Sequence, residues 1–315
     1  MSGKTVLITG GTGMVGKALT LLLAEAGYRV IILTRSPAKA KAPTGFESLV
    51  SFAAWDINAQ TIDESAVALA DAVIHLAGAG VVEKPWTDAY RTEILDSRVN
   101  SSRLLVNTIN KVGIRVKTVV SASAIGWYGE DKPGQEGDFK EDAPAADGFL
   151  GETCYQWEKS IQPVTEAGKR LVICRIGIVL SNAGGALPEF KKPLQFRVAG
   201  VLGHGSQMVS WVHIDDLCRI FRFAIENEQM SGIYNAAAPL PVTNRVLTVN
   251  LATCMFGKAF ITLPVPAFVL KIMLGERSIE VLKSTTVSSA KITGAGFQFD
   301  YPTIEKALSQ LTNKG

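Results

Sequence analysis

Hydrophobic and polar positions in the first part of the chain switch between two periods. Residues 6–9 form a short apolar run. Val15, Leu19, Leu22, Leu23 and Ala26 then recur at helical spacing, and Gly27 stands where a left-handed cap is wanted. Further apolar runs follow at 30–34, 72–76, 118–121 and 171–174. Runs of strand length separated by helical stretches read as βαβ units, which require a mostly parallel, doubly wound α/β sheet over about residues 1–180. After residue 180 the texture changes. Glycine-rich stretches at 182–185 and 200–205 bracket a segment with Lys191, Lys192 and Arg197. Residues 181–246 read as substrate-facing loops and returning elements, and 247–315 as a small, mostly helical C-terminal domain. The stretch 184–205 is expected to close over a substrate, with the paired glycines as hinge.

Composition narrows the class. The chain has 315 residues, 47% hydrophobic and 19% charged, which excludes a disordered polymer. Lys+Arg 32 against Asp+Glu 29 leaves a net charge of +3, too little for a nucleic-acid polycation. Four Cys without a CxxC pair suit a reducing compartment. The first apolar run is too short for a secretion signal, and residues 265–274 carry Pro266 and Lys271, so no membrane span is expected and the location expected is cytoplasmic. His75, His204 and His213 are the only histidines, and no pair has metal-ligand spacing, so no metal is expected. His75 lies in an apolar strand and reads as a core residue, and His204 lies in a polar loop that could meet substrate. An Asp of the pair after His213 is expected to cap a helix.

The chemistry starts at Thr9-Gly10-Gly11-Thr12-Gly13-Met14-Val15-Gly16, between the first strand and first helix. Gly10, Gly13 and Gly16 give a GxxGxxG spacing: a tight turn, a bare backbone for a pyrophosphate, and close helix–sheet packing, with phosphates at the positive helix end. Gly10, Thr12, Gly13, Met14, Val15 and Gly16 are therefore candidate dinucleotide-binding residues. Gly11 through Lys17 also satisfy GxxxxGK, but Ala18 stands where a nucleotide-hydrolysing loop needs Ser or Thr. At the end of the second strand Thr34-Arg35-Ser36 replaces the acidic residue that suits a free ribose 2′-OH. Arg35, with Lys39 and Lys41 nearby, suits a 2′-phosphate, so NADP is expected as cofactor and NAD is the second choice.

These residues resemble the extended short-chain dehydrogenases/reductases. The likeness rests on the glycine loop, Asp56-Ile57, Leu76-Ala77-Gly78, Ser121-Ala122-Ser123 and Trp211-Val212-His213-Ile214-Asp215-Asp216-Leu217. More closely, the chain is similar to the atypical "epimerase family" branch, through Ser97-Arg98, Cys154-Tyr155-Gln156-Trp157-Glu158, residues 175–180, Gly184-Gly185, Leu274-Gly275-Glu276 and Gly296-Phe297. The resemblance implies a Rossmann-type sheet, a nicotinamide cofactor and a small C-terminal domain. It implies that Asp56 and Ile57 flank the adenine, that Leu76, Ala77 and Gly78 pass close to ribose and phosphates, and that Arg98 reaches a cofactor phosphate or else pairs with a surface carboxylate. Ser123 takes the catalytic serine's place.

Hydride transfer in this superfamily uses a Tyr and a Lys four residues apart on one helix face, the Lys favouring the phenolate. Tyr155 and Lys159 have that spacing and are the catalytic candidates beside Ser123. A register slipped by five residues fits the helix better, because Pro163 follows Lys159 too soon. Leu150 then takes the Tyr position, Cys154 the Lys position and Glu158 the trailing acid, and Tyr155 and Lys159 turn away. Tyr128 is a substitute proton donor. The function expected is an NADP-dependent oxidoreductase or nucleotide-sugar-type epimerase acting on a small polar substrate. The alternative is a catalytically degenerate NADP-binding regulatory or interaction protein, for example in cell division. The partner expected is a small-molecule substrate, without nucleic acid or membrane, and with a homodimer left open.

Overall fold

The computed structural model describes residues 3–132, 134 and 137–313. Seven parallel strands build the main sheet: β1 (Thr5–Thr9), β2 (Arg29–Thr34), β3 (Val50–Asp56), β4 (Ala72–His75), β5 (Thr118–Ala124), β6 (Arg170–Ile176) and β7 (Gly232–Ala236). They run in the order β7-β6-β5-β4-β1-β2-β3, and the two-residue strand Thr61–Ile62 adds an antiparallel edge beside β3. Every residue of β1 is buried, as expected for a central parallel strand covered on both faces. Val6 and Ile8 face the core made with α1 (Met14–Glu25), and Leu7 faces the core made with α2 (Asp88–Val112) and α3 (Phe149–Ile161). Each fully buried Leu or Ile contributes about 1.5–3 kcal/mol. The chain leaves β1 toward β2 and β3, then returns to lay β4 on the other side of β1. That reversal opens a crevice at the carboxyl ends of β1 and β4.

Beyond β6 the chain weaves between two bodies. Helices α4 (Ala186–Leu194), α6 (Asn244–Phe256) and α8 (Ile304–Thr312) share a third core with Leu187, Leu194, Leu247, Leu251, Leu308 and Leu311. Strand Val198–Leu202 pairs with Ile261–Val265, and the short α7 (Ala267–Leu274) follows. The stretch 184–205 is therefore not a loose lid: Gly184–Gly185 pairs antiparallel with Ser181 and Leu180, and the segment after it is helix and strand. Elements after residue 180 return to the main sheet. β7 completes the main sheet, and Ile292 and Phe297 lie in its core beside α5 (Ile214–Glu226).

The run Trp211–Leu217 clamps the chain's last part. Asp216, with no exposed surface, accepts from the backbone N–H of Asp300 and of Tyr301, each at 2.8 Å, and from Arg219. His213 stacks on Tyr301 at 3.8 Å. The cap of α5 is His213 and not an Asp: its Nδ1 accepts from Asp215 N–H at 3.1 Å, leaving Nε2–H to donate to Gln310. Among the described residues no helix is long and apolar enough to cross a membrane, and no cluster of His, Cys, Asp or Glu could hold a metal ion.

Asp216→Ala removes three hydrogen bonds to a buried carboxylate and is expected to cost about 3 kcal/mol in urea denaturation. A loss well under about 1 kcal/mol would contradict the clamp.

Candidate dinucleotide crevice

Three glycines build the turn after β1 through contacts that no side chain allows. Gly10 has φ +69°, and a Cβ there would lie 2.8 Å from the Leu76 carbonyl carbon. A Cβ on Gly16 would lie 2.3 Å from the Gly10 oxygen, so α1 packs directly on the turn. Gly11, which the spacing argument passed over, packs on Ile32, where a Cβ would come within 2.6 Å. Gly13 is open apart from the Gly10 oxygen, 3.3 Å from where its Cβ would be. It is also the extended N-cap of α1, with no side-chain cap and no acidic residue in the first turn. The N–H groups of Met14, Val15 and Gly16 thus have no intrahelical acceptor and meet the positive end of the helix. Thr12 is exposed beside them, and Met14 is half-buried against Gly184 and Gly185.

One hydroxyl ties the two sides of the crevice. Thr9 Oγ1 accepts from Leu76 N–H at 3.1 Å and from Ala77 N–H at 3.2 Å, so its own hydrogen goes to His75 Nδ1 at 2.7 Å. That fixes His75 as the neutral Nε2–H tautomer, donating to Ser102 Oγ at 3.1 Å. Burial, helped by the nearby Arg98 charge, pushes the His75 pKa down to about 3. Beyond Ala77, Gly78 lies against the Arg98 guanidinium, and Ala79 N–H donates to Ser97 Oγ at 2.9 Å.

The outer edge carries the remaining predicted residues. Thr34 Oγ1 accepts from Ser36 N–H at 3.4 Å, and Arg35 beyond it is exposed, with no ion pair among the described residues. Asp56 Oδ1 caps the turn after β3, accepting from Asn58 and Ala59 N–H at 2.8 and 3.1 Å. Ile57 is half-buried on the second core. Arg98 does not pair with a surface carboxylate. It is 9% exposed, stacks over Trp157 at 4.9 Å, and donates from Nη1 to Ile94 O at 2.8 Å.

The catalytic candidates are not brought together. Tyr155 is 41% exposed and Lys159 is exposed, both on the outer face of α3, with Lys159 Nζ 5.7 Å from the Tyr155 ring. The inner face presents Gly151, Cys154 and Glu158 instead. Cys154 packs by Gly126 and Ala124, and burial pushes its thiol up to about 11. Ser123, 2% exposed, donates its hydroxyl to Glu158 Oε1 at 2.6 Å. Glu158 holds Arg175 through two bonds of 2.8 and 2.9 Å. Arg175 Nη1 donates to Tyr128 OH at 3.0 Å, and Tyr128 donates to Asn235 Oδ1 at 2.6 Å. Tyr128 is thus a buried packing residue, stacked on Phe139, and its burial raises its pKa. His204 is exposed in the turn between Gly203 and Gly205. From sequence Glu158 was read only as the trailing acid of the slipped register and Arg175 only within the family-like run 175–180; their ion pair was not read. The readable signal was a charge inside the apolar run of β6, which demands a buried partner.

Comparison with known proteins agrees with this architecture. Residues 6–237 match the model of the NAD dependent epimerase/dehydratase family, and residues 265–311 match a domain of unknown function (DUF1731). An epimerase family protein of Staphylococcus aureus (strain MRSA252) is 35% identical over 311 residues, covering 99% of this chain and 100% of the relative. The crystal structure of the human epimerase family protein SDR39U1 (isoform 2) with NADPH superposes with a TM-score of 0.82 at 27% identity, over 98% of this chain and 99% of that one. A nucleoside-diphosphate sugar epimerase from Corynebacterium glutamicum gives a TM-score of 0.76 at 32% identity, over 99% of this chain and 58% of that one.

The His75 lock has a pH signature. The unfolded chain protonates His75 near 6.5, whereas the native state holds it neutral to about 3, so stability falls as pH drops through that window. The slope is about 1.4 kcal/mol per pH unit. His75→Asn keeps an acceptor for Thr9 and removes the titration. Between pH 6 and 4 the wild type is expected to lose about 2–3 kcal/mol more than the variant in urea denaturation. Equal losses would contradict a neutral buried histidine.

Proposed function

The chain belongs to the NAD dependent epimerase/dehydratase family, and on that premise we propose that it binds NADP(H) across the crevice and uses it on a small polar substrate of the nucleoside-diphosphate-sugar type. The observation that carries this reading is the uncapped N-terminus of α1 above the bare Gly13. A diphosphate fits there because the N–H groups of Met14, Val15 and Gly16 point outward and no Cβ fills the approach. Arg35, Lys39 and Lys41 are exposed and have no carboxylate partner among the described residues, which suits a 2′-phosphate. Asp56 Oδ2 and Ile57 would meet the adenine, and Leu76, Ala77 and Gly78 would line the ribose. When bound, the nicotinamide supplies hydride donation or acceptance, and the protein supplies position.

Proton transfer under this reading does not use the Tyr155–Lys159 pair, which faces solvent. Ser123 has one hydroxyl hydrogen, and Glu158 holds it. These two observations favour a second reading, in which the chain binds NADP and acts as a regulatory or interaction protein without turnover.

The readings separate on oxidation of bound NADPH across a panel of carbonyl compounds that includes nucleoside-diphosphate keto-sugars. The first expects slow oxidation with at least one compound, and Tyr155→Phe and Lys159→Met within about twofold of wild type. A loss of roughly hundredfold in either variant would contradict their outward placement. Tight NADPH binding with no oxidation would favour the second reading. Under both, Arg35→Ala is expected to weaken NADPH by about tenfold or more and NADH by less than about twofold. Equal losses would reject the 2′-phosphate contact.

A further inference from the structure

One part of the surface reverses the usual order of apolar inside and polar outside. The strands Val198–Leu202 and Ile261–Val265 form a parallel pair in which Val198 stands beside Ile261, Gly200 beside Leu263 and Leu202 beside Val265. Aligned residues share a face, and successive residues alternate between faces. Ala199 and Val201 have no exposed surface, so their face lies inward, and Ala199 belongs to the third core. The outer face then carries Val198, Gly200, Leu202, Ile261, Leu263 and Val265. None of these is fully buried and none is polar, where a solvated face would alternate to polar residues. The chain runs on into α7, in which only Leu270 is buried. Its Phe268, Met273 and Ile272 stand 65, 70 and 79% exposed.

The charge on the same segments has one sign. Residues 190–214 and 229–275 contain no Asp or Glu. Arg197 and Lys258 are exposed near the start of the two strands, where Ile261 N–H donates to Arg197 O at 2.9 Å, and Lys271 is exposed within α7. None of the three has a carboxylate partner among the described residues. Glu189, before the first segment, pairs with Lys192, and Glu276, after α7, pairs with Arg91. An exposed apolar surface of this kind marks an interaction site, and its cations select what covers it. A second copy of the chain would set Arg197, Lys258 and Lys271 against the same charges. Pro264, which has no N–H, also blunts the free edge of its strand against strand addition. A bilayer containing anionic lipid answers both features, because it takes up apolar side chains without a shaped groove and neutralises the cations.

We propose that α7 and the outer face of this strand pair form a peripheral contact for an anionic lipid bilayer. Phe268, Ile272 and Met273 enter the boundary between headgroups and acyl chains, and Arg197, Lys258 and Lys271 meet lipid phosphates. α7 lies along the surface and does not span, in keeping with Pro266 before it and Lys271 within it. The sequence predicts no membrane partner, because this surface is assembled from two short segments and not from one long apolar run.

The test is co-sedimentation of the full chain with vesicles of phosphatidylcholine, or of phosphatidylcholine mixed with phosphatidylglycerol. Wild type is expected to bind the mixed vesicles about tenfold or more tightly than the neutral ones, and less tightly as salt rises. Lys271→Gln is expected to weaken that binding about fivefold. The double variant Phe268→Ser, Ile272→Ser is expected to weaken it about tenfold or more. Both are expected to keep the wild-type melting temperature, because the replaced side chains are exposed. No binding of wild type to the mixed vesicles overturns the proposal, and so does binding that survives both sets of substitutions. A wild type that sediments as a dimer, turns monomeric in the double variant and ignores vesicles assigns the surface to a second copy, which also overturns it.

Discussion

The crevice depends on where one hydrogen atom goes. Thr9 Oγ1 has two lone pairs and one proton, and all three are used across β1 and β4. With Leu76 held by Thr9, its carbonyl closes on Gly10, and only a residue without Cβ fits. With Gly10 turned there, Gly16 can seat α1 on its oxygen, which aims the free end of the helix at the mouth of the sheet. Each step is steric or hydrogen-bonded, and each needs the one before it. His75 makes the arrangement one-directional, because a neutral ring with hydrogen on Nε2 can only accept at Nδ1.

Away from the crevice the fold spends its buried charges on cohesion. Ser123, Glu158, Arg175, Tyr128 and Asn235 join β5, α3, β6 and β7 in one hydrogen-bonded network. Asp216 does the same for the C-terminal part, taking two backbone N–H groups near residue 300. Segment 284–289 is tied to Ser210: Ser210 Oγ donates to Thr285 O and accepts from Val287 N–H. The last fifth of the chain is thus bound to the main-sheet unit at several points.

Five of the seven parallel strands were legible because burial on both faces writes them as short unbroken apolar runs, whereas β3 alternates buried and exposed positions and was not read as one. β7 was not, since Gly232 and Asn235 interrupt its run and Asn235 earns its place only through Tyr128. The glycine turn was legible from spacing, but Gly11 was not, because its contact is with Ile32 on another strand. Glycine-rich composition made 184–205 read as loop. Only burial of Leu187 and Leu194 against α6 and α8 shows why it is ordered. Pro163 correctly marked the end of α3, which stops at Ile161 before a 3₁₀ turn. Nothing local announced that Arg98 would be buried without a carboxylate, because that depends on Trp157 from α3.

The central claim is that a dinucleotide diphosphate lies on the uncapped end of α1. Amide hydrogen exchange with and without NADPH tests it most directly. The account predicts new protection at residues 13–16 and 76–78, at the two faces of the crevice, with little change at the exposed face of α3. Protection confined to other segments, or none at saturating NADPH, would contradict it.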